Sequence, residues 1–198
     1  MTTALIDTST ANLASVRFAL QRLGADYVVA ATPAAARGAR RLILPGVGAA
    51  GPAMGHLTAS GWAEALAGES RPLLGLCLGM QLLFAHSEEG DVPLLGRIPA
   101  AIQRLEPGAA GPWPHMGWNT LDTVASDEPL LAGVPVGAHV YFVHGYYAPA
   151  GSWSRATTTY GETITAVARS GNVAGCQFHP ERSGAVGARI LTNFLAQP

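Results

Sequence analysis

Pro72-Leu73-Leu74-Gly75-Leu76-Cys77-Leu78-Gly79-Met80-Gln81 runs from an apolar segment into a helical one, with a cysteine at the junction. Pro72 to Leu76 has the unbroken apolar character of a strand buried on both faces. A helix is expected from Leu78 to about His86. Upstream, the same alternation repeats. Ala4-Leu5-Ile6-Asp7 reads as a strand, and Asn12 to Leu23 follows with Leu13, Val16, Leu20 and Leu23 on one helical face. Gly24 supplies the stop. Asp26 to Ala30 is the next strand, and Thr32-Pro33 has the pattern of an N-cap followed by Pro at the first helical position. Arg41 to Leu44 is a third strand, ending in Pro45-Gly46-Val47-Gly48. A helical stretch from Pro52 to Gly68, broken near Gly61, leads back to Pro72. Strands alternating with helices imply a three-layer α/β fold, a doubly wound and mostly parallel sheet covered on both faces.

The second half changes character. Pro107 to Pro114 is a Gly/Pro/Ala loop, and strand-like runs follow at Trp118–Val124, His139–Val143, Arg155–Tyr160, Ile164–Arg169 and Val173–Phe178. Turns such as Ser170-Gly171-Asn172 point to an antiparallel extension of the sheet. A final helix over Ala185–Ala196 places Ile190, Leu191, Phe194 and Leu195 on one side. With no repeat and no long linker, residues 1–198 are expected to form one domain.

Composition excludes several function classes. The chain has 198 residues, a net charge of −1 and only 13% charged residues, against about 25% in an average protein. Its basic residues are all arginine, 12 in number. With a pI near 6.6, it has no electrostatic footprint for nucleic acid or an anionic membrane. No apolar run reaches the roughly 18 residues of a membrane span. No basic segment precedes the first strand, as a secretory signal would require. The expected location is the cytoplasm. Two cysteines make no disulfide framework. His56, His86 and His139 lack neighbours at metal-ligand spacing, so no metal is expected. No glycine-rich phosphate loop is present, so no nucleotide cofactor is expected either.

Within Gly75-Leu76-Cys77-Leu78-Gly79, the cysteine sits on a sharp strand-to-helix turn, and glycines two residues to either side let the elements pack closely. A helix N-terminus favours thiolate over thiol, and the Leu78 amide is placed to donate to an oxyanion formed beside Cys77. Taken alone, the stretch is equally compatible with a buried structural cysteine. A base is available at Gln177-Phe178-His179-Pro180-Glu181. His179 ends a strand, Pro180 biases it to an extended conformation, and a spacing of two turns Glu181 to the same side. Strand C-terminal ends gather along one edge of such a sheet, which makes a Cys77-His179-Glu181 triad the leading expectation. Pro45-Gly46-Val47-Gly48 reaches the same edge and offers a second oxyanion donor. Gln81 lies one helical turn after Cys77. Cys176, inside an apolar strand, reads as a small buried hydrophobe.

Leu44-Pro45-Gly46-Val47-Gly48, Gly75–Gln81 and Gln177–Glu181 together resemble, in order and spacing, the class I (triad-type) glutamine amidotransferases. Within that class, His115-Met116-Gly117-Trp118-Asn119 and Tyr141-Phe142-Val143-His144 look like the glutaminase subunit of imidazole glycerol phosphate synthase. The resemblance covers essentially the whole chain. It implies a flavodoxin-like sheet, with Cys77 as nucleophile, His179 as acid–base group and Glu181 as its orienting partner. It also implies oxyanion donors at Val47 and Leu78, and glutamine held by Gly48, Gln81 and the backbone around His144 and Gly145. Ammonia would pass to a (β/α)8-barrel cyclase docked through Trp118, Tyr141 and Arg182. No cofactor is implied.

The sequence departs from the family pattern at three places. Thr8-Ser9-Thr10-Ala11-Asn12 stands where the family has Tyr-Gly-x-Gly-Asn, Gly145 replaces a small hydroxyl residue, and Arg182 replaces a lysine. Two alternatives stay open: the glutaminase of another synthase (anthranilate, GMP or pyridoxal phosphate type), or a non-catalytic flavodoxin-like binding module. A serine-type α/β-hydrolase is disfavoured, because its acid precedes the histidine in a separate segment.

Overall fold

A computed structural model describes residues 2–8 and 13–197. In chain order its strands are β1 (Thr3–Ile6), β2 (Tyr27–Ala30), β3 (Arg41–Gly46), β4 (Leu73–Cys77), β5 (Phe84–Ser87), β6 (Val92–Pro93) and β7 (Ile98–Arg104). They continue with β8 (His115–Thr120), β9 (Thr123–Val124), β10 (His139–His144), β11 (Tyr146–Tyr147), β12 (Ser154–Tyr160), β13 (Glu162–Ser170) and β14 (Val173–Cys176). The α-helices are α1 (Leu13–Arg22), α2 (Ala50–Ala59), α3 (Trp62–Ala67), α4 (Leu78–Gln81) and α5 (Gly184–Leu195).

The main sheet has the order β2-β1-β3-β4-β14-β13-β12-β9. The pairings from β2 to β14 are parallel, and those from β14 to β9 antiparallel. This is the expected parallel sheet with an antiparallel extension. Its central strands bury both faces, and alternate residues divide between two cores. Ala4, Ile6, Leu42, Leu44 and Leu73 join the core that takes in Leu57, Trp62 and Leu66 of α2 and α3. Leu5, Ile43, Leu74 and Leu76 join the other, with Leu20 of α1 and Ile190, Leu191 and Phe194 of α5. Gly61, at φ 78°, breaks α2 from α3 as expected.

Three expectations need correction. The helix after Cys77 ends at Gln81 and not near His86, because Phe84 begins a strand that pairs with β7. Leu82 and Leu83 accept from the amides of Leu95 and Ile98 in place of continuing the helix. Leu82-Leu83-Phe84 is fully buried, and an apolar run of that kind carries no period to distinguish helix from strand. The resulting four-stranded sheet, β11-β7-β5-β6, was not legible in the sequence. The expected strand Trp118–Val124 is two elements in different sheets: β8 pairs with β10 in a separate ribbon, and β9 edges the main sheet. Leu121 turns the chain between them, exchanging backbone bonds with Ala138 and Gly137. Thr32-Pro33 opens a 3₁₀ turn, Pro33–Ala36, without a side-chain cap. Of Thr8–Asn12, residues 9–12 lie outside the described residues; Thr8 is buried.

The feature that positions the site is a close approach of α4 to β3, β4 and β14. A Cβ on Gly75 would meet the Gly79 carbonyl at 2.5 Å, one on Gly46 the Gly79 nitrogen at 2.6 Å, and one on Gly175 Met80 Cβ at 2.6 Å. A Cβ on Gly79 would overlap the Leu44 carbonyl oxygen outright. Gly79→Ala is therefore expected to destabilise the fold by about 1–3 kcal/mol or more, the cost of overpacking a well-packed core. Gly55, exposed within α2 with open space around its Cα, makes a control. Gly55→Ala should stabilise by about 0.4–1 kcal/mol. Urea midpoints of the two variants test the pair, and equal shifts of the same sign would contradict the packing account.

Candidate active site

Cys77 stands between β4 and α4 with φ 54° and ψ −111°. A non-glycine residue at positive φ is costly and persists only where its surroundings dictate it; here Gly75 and Gly79 hold the strand and helix against each other. The side chain is nearly buried at 7% exposure. Its Sγ lies 3.6 Å from the Val143 carbonyl oxygen and 3.9 Å from Gln177 Nε2. β3 and β4 run in register, with Gly46 beside Cys77, so the following Val47 and Gly48 reach the same edge. Gly48 adopts φ 90°.

His179 follows β14, the other parallel neighbour of β4, and lies close enough to hydrogen-bond Cys77. Its Nδ1 is 2.7 Å from Glu181 Oε1. A carboxylate only accepts, so Nδ1 carries the proton and Nε2 is left for the sulfur. The other carboxylate oxygen of Glu181 has no hydrogen-bond partner among the described residues, so the hydrogen bonding of this buried group is directed to the imidazole. Burial pushes His179 down, but the hydrogen bonds and charges of Cys77 and Glu181 outweigh it and raise its pKa to about 10. Cys77, His179 and Glu181 thus lie together at one edge of the sheet.

β10 holds His179 in place. The His179 amide donates to Tyr141 O at 2.9 Å. Ser183 Oγ accepts from the Tyr141 amide and donates to His179 O, at 3.0 and 2.7 Å. Sequence reasoning passed over Ser183; buried at a helix start, it had no signal beyond its hydroxyl.

Gln177 was also missed. Fully buried, it accepts from Gln81 Nε2 at 3.0 Å while its own amide faces Cys77. The extended spacing that turns His179 and Glu181 together applies equally to Gln177, with Phe178 packed on the opposite side in the core. Gln81 spends its amide protons on Gln177 and on the Tyr146 carbonyl at 2.8 Å, which leaves Oε1 as the atom it can offer a ligand.

A cavity of about 290 Å³ opens beside Cys77 and His179. It is lined by Val47, Gly48, Leu78, Gln81, His144 and Gly145, all sequence-predicted, and also by Glu89, Trp113, Pro114, Val143 and Tyr146. Glu89 contributes the cavity's carboxylate and is tied to the Ala50 amide at 2.9 Å. It sits in the segment that was misread as following a longer helix. The His144 side chain is committed internally. Its Nδ1 faces the Tyr146 carbonyl at 2.9 Å and so carries the proton, leaving Nε2 to accept from His115 Nδ1 at 3.0 Å. His115 Nε2 then accepts from Asn119 at 3.3 Å. Burial lowers His115 to about 4. It lowers His144 to about 3, helped by the nearby His115 and His179 and opposed by the Tyr146 hydrogen bond. Both stay neutral near pH 7, consistent with structural roles.

Trp118, Tyr141 and Arg182 lie outside the cavity. Trp118 is 57% exposed and packs edge-on against Tyr141 at 5.9 Å; Arg182 is exposed. Cys176 is fully buried, and burial pushes its thiol far above the ordinary range, in keeping with a packing role. Among the described residues no cluster of three metal-ligating side chains occurs, and no helix is long and apolar enough to cross a membrane.

Comparison with known proteins agrees with this geometry. The glutamine amidotransferase class-I family model matches residues 4–197. The imidazole glycerol phosphate synthase subunit HisH of Xanthomonas axonopodis pv. citri is 53% identical over 192 residues, covering 97% of this chain and 96% of the relative. The HisH subunit of Xylella fastidiosa is 52% identical with the same coverage. Among solved structures, a glutamine amidotransferase superposes with a TM-score of 0.73 at 21% identity, over 98% of this chain and 96% of its own. A glutamine amidotransferase from Thermotoga maritima gives 0.62 at 16%, over 98% and 82%; these two speak for the fold alone. The chain belongs to the class-I glutamine amidotransferase family, among the HisH subunits of imidazole glycerol phosphate synthase.

Proposed function

We propose that this chain, acting as one domain, hydrolyses L-glutamine through Cys77, His179 and Glu181 and delivers the ammonia to a cyclase subunit. The observation that carries the reading is the coincidence, at one sheet edge, of a strained nucleophile turn, a carboxylate-oriented imidazole and a cavity of amino-acid size.

The Cys77 sulfur attacks the side-chain amide carbon of glutamine, and its proton resides on His179 Nε2. Backbone amides of Leu78 and the Val47–Gly48 turn donate to the tetrahedral oxyanion; losing one such donor costs about 2.7–4 kcal/mol in other enzymes. As the intermediate collapses, the C–N bond breaks and His179 returns the proton to the leaving nitrogen, giving ammonia and a γ-glutamyl thioester. Water, deprotonated by His179, attacks the thioester and releases glutamate and the Cys77 thiol. Glu181 keeps the imidazole in the tautomer these transfers need. The substrate's ammonium is met by Glu89 and by Gln81 Oε1, and its backbone end by the chain at His144–Gly145. Gln177 contributes an N–H toward the sulfur.

By kinship with the HisH subunits, the ammonia acceptor is a (β/α)8-barrel cyclase making imidazole glycerol phosphate and aminoimidazole carboxamide ribotide for histidine biosynthesis, in the cytoplasm. The exposed Trp118 and Arg182 and the half-buried Tyr141 offer an aromatic and cationic face for it.

Cys77→Ser is expected to abolish glutamine hydrolysis while the complex still cyclises with added ammonium; loss of both activities together would make Cys77 structural. Glu181→Gln should lower turnover less than His179→Ala, since it orients the proton carrier and does not itself transfer the proton. The reverse ranking would sink these roles.

Histidine titration followed by ¹⁵N NMR provides the pH test. His179 should keep its proton up to a pH near 10, and Glu181→Gln should lower that midpoint. Because its folded value lies above 6.5, its stabilisation is complete below about pH 6.5 and fades as the pH climbs to 10. His115 and His144 act in the opposite direction. The unfolded chain protonates them below 6.5 while the folded one resists to about 4 and 3, so stability falls with acid in that window. A fold whose stability is flat from pH 6.5 to 4 would contradict their buried neutral state.

A further inference from the structure

Trp113 and Gly145 form a matched pair at the mouth of the cavity. The Trp113 indole donates from Nε1 to Gly145 O at 2.9 Å, and the same carbonyl accepts from the Leu105 amide at 3.0 Å. Arg104 covers the indole, its guanidinium carbon 5.0 Å from the ring centroid, and is itself paired with Glu106. A Cβ on Gly145 would meet Trp113 Cζ2 at 2.5 Å and Cε2 at 2.8 Å, so the ring occupies the space any side chain at 145 would need. Gly145 is not among the positive-φ glycines; its backbone accepts any residue, and the fit to the indole is what requires a glycine. Both residues line the cavity beside Cys77 and His179, although Trp113 is 46% exposed.

A large aromatic left half in water, yet fixed by a hydrogen bond and a cation–π contact, is a pre-positioned apolar wall. The polar groups of the cavity, Glu89 and Gln81, match the charged end of an amino acid, and Cys77 and His179 match its amide. Between those ends, glutamine carries only methylene groups. We infer that Trp113, seated on Gly145, is the wall against which those methylenes pack, and so sets affinity for the amide donor. This rests on the glutamine-hydrolysing reading above.

The test is steady-state glutamine hydrolysis, first at saturating cyclase and then across a cyclase titration, with Trp113→Ala, Gly145→Ala and the double variant compared to the unaltered chain. Thermal midpoints are read alongside. Trp113→Ala is expected to raise KM for glutamine about tenfold, the scale of a lost apolar pocket contact, with kcat changed less than about twofold and an unshifted response to cyclase concentration. Gly145→Ala should raise KM by displacing the ring. The double variant should be no worse than Trp113→Ala alone, because the added methyl has nothing left to displace. An unchanged KM in Trp113→Ala, effects that multiply in the double variant, or a change confined to cyclase affinity would each overturn the inference while leaving the glutaminase reading intact. A folded, complexed wild-type chain without glutamine hydrolysis would overturn both.

Discussion

The structure depends on a contact in which side chains are excluded. Helix α4 is little more than one turn long, and it lies so close to β3, β4 and β14 that Gly46, Gly75, Gly79 and Gly175 have no room for a Cβ. The backbone of the helix touches the backbone of the sheet. That approach forces the link between β4 and α4 into a sharp turn, and the residue at the turn is Cys77 at φ 54°. Glycine would sit there more easily; a cysteine is kept in that geometry because the packing on both sides leaves no alternative. The position of Cys77 is therefore set by the core and not by a loop.

The remaining parts of the site are brought to that point from three directions. Register in the parallel sheet brings Val47 and Gly48 in from β3 and His179 in from β14. The β8–β10 ribbon closes over the top, holding His179 through Tyr141 and Ser183 and offering the Val143 carbonyl to the sulfur. Beneath the ribbon, Asn119, His115, His144 and the Tyr146 carbonyl form a chain of hydrogen bonds whose tautomers are all fixed by the acceptor at its end. Gln81 donates to that same carbonyl, so the segment joining β10 to β11 is pinned from two sides where it lines the cavity.

Much of this was legible because it follows from periods and turn chemistry. The parallel half reads directly: buried strands are continuous apolar runs, and Gly24 and Gly61 punctuate the helices. The juxtaposition of Cys77, His179 and Glu181 needed only the rule that strand ends share one edge. The illegible parts have equally definite causes. Leu82-Leu83-Phe84 is buried all round, so nothing in its pattern said where α4 stopped, and with that boundary lost, Glu89 was not placed in the cavity. Trp118–Val124 carries the aromatic and β-branched residues of one strand, although Leu121 sends its halves to different sheets. Gln177 shares the side of the chain used by His179 and was readable by the same spacing. Trp113 was not, since its role comes from the absence of a side chain at Gly145, distant in sequence.

The central claim is that Cys77, held by this glycine packing, forms a covalent bond to substrate. It is tested most directly by rapidly acid-quenching the enzyme during turnover on glutamine and locating any γ-glutamyl adduct by peptide mass spectrometry. The account expects the adduct on Cys77, absent in Cys77→Ser and accumulating in a variant whose deacylation is slowed. Turnover without any adduct on Cys77 in these variants, or an adduct on Cys176, would contradict it.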